Sequence, residues 1–313
     1  MKRVGLLLPV LCCVLSTVFL GCGKKGADTV AVGAVFPLSG PVANYGTESR
    51  DGALLAIDEI NAAGGLLGKQ LTLIPEDDEG NAEKSLNAFT KLTTRDKVAY
   101  ILGSSTSGAT MSMTQQAQAN KIVLISPSAT NVNVTGPGDY IFRACFIDPF
   151  QGVVGAEFSY NDLGSRRAAI LYDGGADYNT DLAKSFEEHF KVLGGEIVAN
   201  EAYQSGDVDF NAQVTRIKSH NPDVVYLPNY YNDVALQAKQ FRDQGVTVPL
   251  VGGDGWDSLV DNAGDEALNG YWSAGFNADT TDPKGQAFVK NFQAKYNRNA
   301  TQFAALGYDA TMP

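Results

Sequence analysis

Two histidines and four cysteines in 313 residues leave little for metal or nucleophile chemistry. Neither histidine has a cysteine or carboxylate at metal-ligand spacing. His189 flanks the apolar stripe Leu182, Phe186, Phe190 and Leu193 and reads as a boundary residue. His220 falls in the last turn of a helix, where a cation suits the dipole. Cys12, Cys13 and Cys22 belong to the N-terminal apolar stretch or its end. That leaves Cys145, in the apolar context Phe142 to Phe146, as an expected buried thiol. Walker A, a Rossmann GxGxxG between a strand and a helix, and GxSxG are absent. Gly252-Gly253-Asp254-Gly255 is glycine-rich but opens no helix at phosphate spacing, and Asp254, Asp257, Asp261 and Asp265 do not match an EF-hand. Glu76-Asp77-Asp78-Glu79 reads as a solvated turn in preference to a cation site. Basic residues are short too: 24 Lys and Arg stand against 35 Asp and Glu, for a net charge of −11. So acidic a surface argues against nucleic acid as a partner and fits plain solubility. No catalytic residue, metal or cofactor is expected.

Only one long hydrophobic run exists, Val4 to Leu20. It is interrupted by Pro9, Cys12 and Cys13 and lies at the short end for a membrane span. Lys2 and Arg3 precede it. The following Phe19-Leu20-Gly21-Cys22 resembles a bacterial lipobox, with Phe19 in place of the usual leucine. That resemblance implies a signal peptide over residues 1–21, a lipidated Cys22 and a polar tether over 22–29. It also implies an extracytoplasmic chain anchored to a bacterial membrane, in the periplasm or at the cell surface. With Cys22 acylated no intramolecular disulfide is possible. Ordinary secretion and an uncleaved anchor are the alternatives.

Apolar runs and helical periods alternate through the rest. Val30–Phe36 reads as a strand buried on both faces. Tyr45 to Ala62 reads as a helix with Ala53, Leu54, Ile57 and Ile60 inward, stopped at Gly64-Gly65. Gln70–Pro75 is the next strand, and Asn81 caps a helix to about Arg95. Val98–Leu102, Ala109–Asn120 and Ile122–Ile125 continue the rhythm, and Tyr140–Arg143 is a short strand. The pattern restarts with a helix over Gln151–Leu163. Strands are expected at Arg167–Tyr172, Glu196–Tyr203, Asp223–Leu227, Val248–Val251 and Tyr271–Ala274. Helices are expected at Asp177–Leu193, Phe210–His220 and Asp233–Gln244. Asp282-Pro283 caps a helix to about Tyr296, and Thr301 starts another that would pack back on the first half. The alternation predicts parallel sheets with right-handed crossovers. Helix, Gly-Gly and strand recur in each half, which implies two lobes, 30–145 with 276–313 and 146–275. Boundaries near 146 and 275 are expected as hinge strands, with a ligand cleft between the lobes. The chain is expected to be cut short at Pro313.

Two consecutive strands end in small hydroxyl residues: Ser104, Ser105, Thr106 and Ser107, then Ser126, Ser128 and Thr130. Ligands of open α/β sheets bind at strand carboxyl ends, and the first cluster opens a helix, where free N–H groups attract anions. A carboxylate-sized anion site and plain capping chemistry both remain open. Asp254 is a turn residue at a strand end in the second half. Tyr230 and Tyr231 are adjacent, so in an extended segment only one faces the cleft, and Tyr230 is chosen. Trp256 is expected either to cap the pocket or to pack at its rim.

Several segments together resemble the Leu/Ile/Val-binding protein family, the solute receptors of branched-chain amino acid ABC transporters. They are Phe36-Pro37-Leu38-Ser39-Gly40-Pro41, Tyr45-Gly46, Gly52-Ala53, Ile60-Asn61-Ala62-Ala63-Gly64-Gly65, Ile125 to Asn131, Tyr172-Asp173, Tyr178, Asn229-Tyr230-Tyr231, Gly252 to Gly255 and Gly307 to Ala310. The resemblance covers residues 30–313. It implies two Rossmann-like lobes with parallel sheets flanked by helices, joined by crossover strands, that close on a neutral amino acid and then engage permease subunits. Ser107 and Thr130 would bind the ligand carboxylate, the Ser128 carbonyl would accept from its ammonium, and Asp254 would pair with the ammonium. Tyr45, Thr106, Tyr178, Tyr230 and Phe303 would line or close the pocket. The founding members carry a disulfide where this chain has Gly80 and Thr106, and a glutamate where it has Asp254. Relatives bind urea, short amides or aromatic acids, so those ligands, or a role as a sensor domain, are the alternatives. A hydrolase with a scattered triad is the remaining one.

Overall fold

Continuous Val, Ile, Leu and Ala runs satisfy their backbone groups by pairing side by side, and here every ladder named below is parallel. The computed structural model describes residues 29–312. The expectations on the signal peptide, Cys22 and most of the tether therefore lie outside the described residues.

The first sheet holds β1 (Thr29–Phe36), β2 (Gln70–Asp77), β3 (Tyr100–Gly103), β4 (Val123–Ser126) and β5 (Ile141–Arg143), in the order β2-β1-β3-β4-β5. Its helices are α1 (Ala43–Ala62), α2 (Ala82–Thr94) and α3 (Ser107–Asn120). The second sheet holds β6 (Arg167–Asp173), β7 (Glu196–Tyr203), β8 (Val224–Tyr226), β9 (Leu250–Gly252) and β10 (Gly270–Trp272), in the order β10-β9-β8-β6-β7. Helices α4 (Asp148–Glu157), α5 (Asp177–Val192), α6 (Asn211–Ser219), α7 (Tyr231–Asp243) and the short α8 (Leu259–Asn262) surround it. The chain then adds α9 (Pro283–Tyr296) and α10 (Gln302–Asp309). All of the named ladders are parallel, β1 with β2 in register from Thr29–Gln70 to Phe36–Asp77. The structure is the expected α/β architecture of two parallel-sheet lobes flanked by helices. Among the described residues no helix is long and apolar enough to cross a membrane.

Local signals act where they stand. Asn81 accepts from the N–H groups of Glu83 and Lys84, Asp282 from Gly285, and Thr301 from Ala304, so α2, α9 and α10 begin on side-chain caps. Gly103 ends β3 at φ 126°, and a Cβ there would stand 2.0 Å from the Val35 carbonyl oxygen, so only glycine fits. Residues 144–147 and 273–276, expected as hinge strands, follow β5 and β10 without strand pairing of their own.

Some expectations change. On α1, Leu54 and Ile60 are only partly buried, while Gly52, Leu55 and Ala56 are buried. The reason is α10, which packs on the same helix. A Cβ at Gly52 would lie 1.9 Å from the Ala304 carbonyl oxygen, and one at Gly307 would lie 2.2 Å from that of Ser49. The two backbones nearly touch, and α10 is thereby fixed against the first sheet's helix layer. The 76–79 turn is structural. Asp77 accepts from the N–H groups of Leu38, Ser39 and Glu79, Asp78 is buried and accepts from Gly80 N and Ser85 Oγ, and Glu76 pairs with Lys91. Cys145 is half-buried, because the chain leaves β5 at Arg143 and the apolar segment runs along the surface, with Phe142 and Ile147 exposed. Its surroundings still push the thiol well above its ordinary range through desolvation.

Candidate functional site

The sheets turn their carboxyl ends toward one another, and the loops beyond them build the site. Ser105 and Ser107 follow β3, Ser128 and Thr130 follow β4, and Tyr45 begins α1 after β1. From the second lobe Tyr178 follows β6, Tyr230 follows β8, and Asp254 with Gly255 follow β9. Phe303 arrives on α10. These ten residues line one small cavity between the lobes, with a free volume of about 10 Å³, room for about one water.

On the first-lobe side most hydroxyls knit the two loops together. Ser126 Oγ donates to Ser104 O at 2.6 Å, Ser128 Oγ donates to Ser105 O at 2.8 Å, and Asn131 N donates to Ser107 Oγ at 3.2 Å. Thr130 differs. It is 1% exposed, and its Oγ1 faces the Asp148 carboxyl at a geometry short of a full hydrogen bond. A buried hydroxyl without a full partner is costly, and a bound acceptor or donor would relieve it. Ser107, which lines the cavity, opens α3, where the first-turn N–H groups have no intrahelical partner.

The second-lobe side is acidic. Asp254 begins a 3-10 turn and is 3% exposed. Its Oδ1 accepts from Tyr178 OH and from Gln151 Nε2, both at 3.0 Å. Gln151 Oε1 accepts from Asp254 N at 3.0 Å, Tyr178 OH accepts from Gly255 N at 3.1 Å, and Gln302 Nε2 donates to Asp254 O at 2.9 Å. Burial pushes the Asp254 carboxyl up to about 6, with the Gln151 and Tyr178 hydrogen bonds working against that rise. No Lys or Arg pairs with it among the described residues, and the hydrogen bonds of its carboxyl come from Gln151 and Tyr178.

Four rings form the walls. Tyr45 stacks on Phe303 with centroids 4.1 Å apart, and Tyr178 stacks on Tyr230 at 5.0 Å. The two stacks meet edge to face through Tyr45 and Tyr230 at 5.7 Å. The lobes touch around the cavity. Tyr45 OH hydrogen-bonds the Gly255 carbonyl, Asn131 Nδ2 donates to Asp181 Oδ2 at 2.8 Å, and Gln302 N donates to Asp257 Oδ2 at 3.0 Å. This is a closed arrangement.

Eight of the nine residues expected at the site line the cavity; Thr106 does not. Thr106 is the N-cap of α3, buried, with its Oγ1 unpartnered. Adjacent residues at a helix start diverge, so Ser105 and Ser107 face the cavity and Thr106 does not. Ser105 and Gly255 were legible only as members of their clusters. Gln151 carried no sequence signal beyond its place three residues after Asp148. Tyr231 also touches Tyr45, with centroids 5.1 Å apart, because the segment turns into α7 at that residue and the alternation of an extended strand does not apply. Trp256 is in the second-lobe core, 1% exposed, its Nε1 donating to Leu227 O at 2.9 Å. It neither caps nor rims the cavity. His189 sits at the boundary as expected, its Nε2 2.9 Å from Glu157 Oε1. Among the described residues no three His, Cys, Asp or Glu side chains gather as a metal site would need.

A profile of the family described as periplasmic binding protein matches residues 29–312. The Leu/Ile/Val-binding protein BraC3 of Rhizobium johnstonii is 33% identical over 283 residues, which cover 90% of this chain and 76% of that one. The branched-chain amino acid transporter substrate binding protein LivJ of Streptococcus pneumoniae, solved in complex with isoleucine, superposes with a TM-score of 0.86. The identity is 38%, and the match covers 91% of this chain and 82% of that one. A solute binding protein of an ABC transporter from R. palustris, solved in complex with benzoate, superposes at 0.81 with 25% identity, covering 91% and 79%.

Proposed function

The chain belongs to the periplasmic binding protein family, and from that premise we propose that it is the extracytoplasmic receptor of an ABC importer for a neutral, branched-chain amino acid. The observation that carries the reading is the polarity of one small cavity. A buried Asp254 with no ion pair stands on one lobe, and the Ser107 and Thr130 hydroxyls, at the start of α3 and after β4, stand on the other. An α-amino acid presents an ammonium and a carboxylate a few ångströms apart. Asp254 takes the first, Ser107 and Thr130 the second, and the Tyr45–Phe303 and Tyr178–Tyr230 stacks enclose an aliphatic side chain. Residues 30–145 with 276–313 act as one lobe and 146–275 as the other. Because the two charges of the ligand bind different lobes, the ligand favours the closed form over the open one, as a population shift requires. The closed form is what permease subunits recognise. The names of BraC3 and LivJ support this ligand class.

Thermal unfolding with L-isoleucine, urea and benzoate tests the ligand class. Ligand at about a hundred times Kd adds about 2.7 kcal/mol, a rise of about 4 °C for a chain of this size. L-Isoleucine is expected to give that rise. A rise with benzoate or urea and none with isoleucine would replace the reading with an aromatic-acid or amide receptor.

Gly21-Cys22 at the end of the apolar run supports a lipid anchor. Mass spectrometry of the membrane fraction is expected to find a mature chain starting at an acylated Cys22. A soluble mature chain starting elsewhere would refute the anchor.

A further inference from the structure

Behind Asp254 stands a second acid. Asp148 opens α4 and is fully buried. Gln151, one turn later, donates from its single Nε2 to Asp148 Oδ1 and to Asp254 Oδ1, each at 3.0 Å. The two carboxyl groups are thus within two hydrogen-bond lengths of each other, across one amide. Asp148 Oδ2 makes no full hydrogen bond; the Thr130 hydroxyl is the neighbour beside this carboxyl and favours its ionised form. The two acids and Gln151 all belong to the second lobe, on α4 and the turn after β9, so their spacing does not depend on closure.

We infer that Asp148 is a second acid of the ligand site, and that it gives up a proton to solvent when an ammonium group binds beside Asp254. The inference rests on the amino acid reading above. The ammonium arrives already protonated, no covalent bond other than the acid O–H is broken, and the proton leaves to the buffer.

The surroundings carry this. Burial pushes Asp148 up to about 7, and the charge of Asp254 adds to the rise. Asp181 on α5 adds a further negative charge, and Arg143, at the end of β5, is the positive group on that side. Arg143 spends its donors on the carbonyls of Ala129, Asn131 and Val132 and on Thr135 Oγ1, and none on Asp148. Tyr178 and Tyr226 face the pair from α5 and β8 as neutral phenols, held well above their usual range by burial. Cys145, next along from β5, is a neutral thiol. The site therefore presents two acids with no cation hydrogen-bonded to either, Arg143 acting on Asp148 only through space. An opposite charge within roughly 4–6 Å lowers a carboxyl pKa by about 1–3 units, and two interacting acids titrate as a pair. An ammonium at Asp254 shifts the pair toward its ionised form.

The test is calorimetry of L-isoleucine at pH 7.0 in phosphate and in Tris, whose ionisation enthalpies differ widely, on the parent chain and on Asp148→Asn. The parent is expected to release about half a proton, and its affinity to rise about threefold to tenfold from pH 6 to pH 8. Asp148→Asn is expected to bind with the same enthalpy in both buffers at pH 7.0. Gln151→Met, which leaves both acids but cuts the bridge, is expected to keep a buffer dependence. Equal enthalpies in the two buffers for the parent overturn the inference, whether or not the variants fold, and leave the amino acid reading standing. Proton release that persists in Asp148→Asn also overturns it. Absence of isoleucine binding at every pH removes the amino acid reading and this inference with it.

Discussion

Asp254→Ala is expected to weaken L-isoleucine binding by about thirtyfold to several thousandfold. Removing one partner of a buried charge pair costs about 2–5 kcal/mol, because the other charge is left stranded without water, and each 1.4 kcal/mol is about tenfold. Here the stranded group is the ligand's ammonium, enclosed by four rings and by the Gln151–Asp254 network. The same substitution is expected to spare a des-amino analogue such as 4-methylpentanoate, which brings no ammonium. Ser107→Ala is expected to cost less, about 1.5–3 kcal/mol, because the Thr130 hydroxyl and the α3 N–H groups still serve the carboxylate. Calorimetry on both ligands checks the pattern. Equal binding of isoleucine by parent and Asp254→Ala reduces Asp254 to a turn residue and moves the amide or urea reading ahead.

Gly52→Ile is expected to lower the unfolding midpoint by about 5 °C, the counterpart of about 3 kcal/mol. A Cβ at Gly52 meets the Ala304 carbonyl oxygen at 1.9 Å and Tyr308 N at 2.9 Å. Those are backbone atoms of α10 and cannot swing aside as a flexible side chain does. The helix must move off α1, which breaks the Tyr308 hydroxyl's 2.6 Å bond to Glu59 and shifts Phe303 away from Tyr45. The variant is therefore expected to lose isoleucine affinity as well as stability, although position 52 lines no part of the cavity. Thermal unfolding checks the first effect and calorimetry the second. An unchanged midpoint would mean that α10 is not fixed by this contact.

The strands were legible because both faces are covered, so Val30–Phe36 and Ala168–Leu171 read as unbroken apolar runs. The hydroxyl half of the site was legible for a topological reason. Strands β3 and β4 are consecutive in the chain and neighbours in the sheet, so the loops after them had to meet. Asp254 was legible only through its family resemblance, since a lone acid in a glycine-rich turn carries no pattern of its own. What sequence could not give depends on directions set by tertiary packing. Thr106 and Ser107 are one residue apart, and the start of α3 sends only one into the cavity. Trp256 is one residue from the cavity-lining Gly255, yet its ring turns into the second-lobe core. Asp148 and Gln151 meet Asp254 from more than a hundred residues away, and neither the hinge region nor α4 announces that meeting by composition.

A crystal structure of the chain grown with L-isoleucine tests the central claim most directly. The ligand is expected between the lobes, its ammonium within hydrogen-bond distance of Asp254 and its carboxylate on Ser107, Thr130 and the first turn of α3, with the aliphatic group against Tyr45 and Phe303. A ligand turned with its carboxylate toward Asp254, or seated outside the cavity lined by these residues, would contradict it.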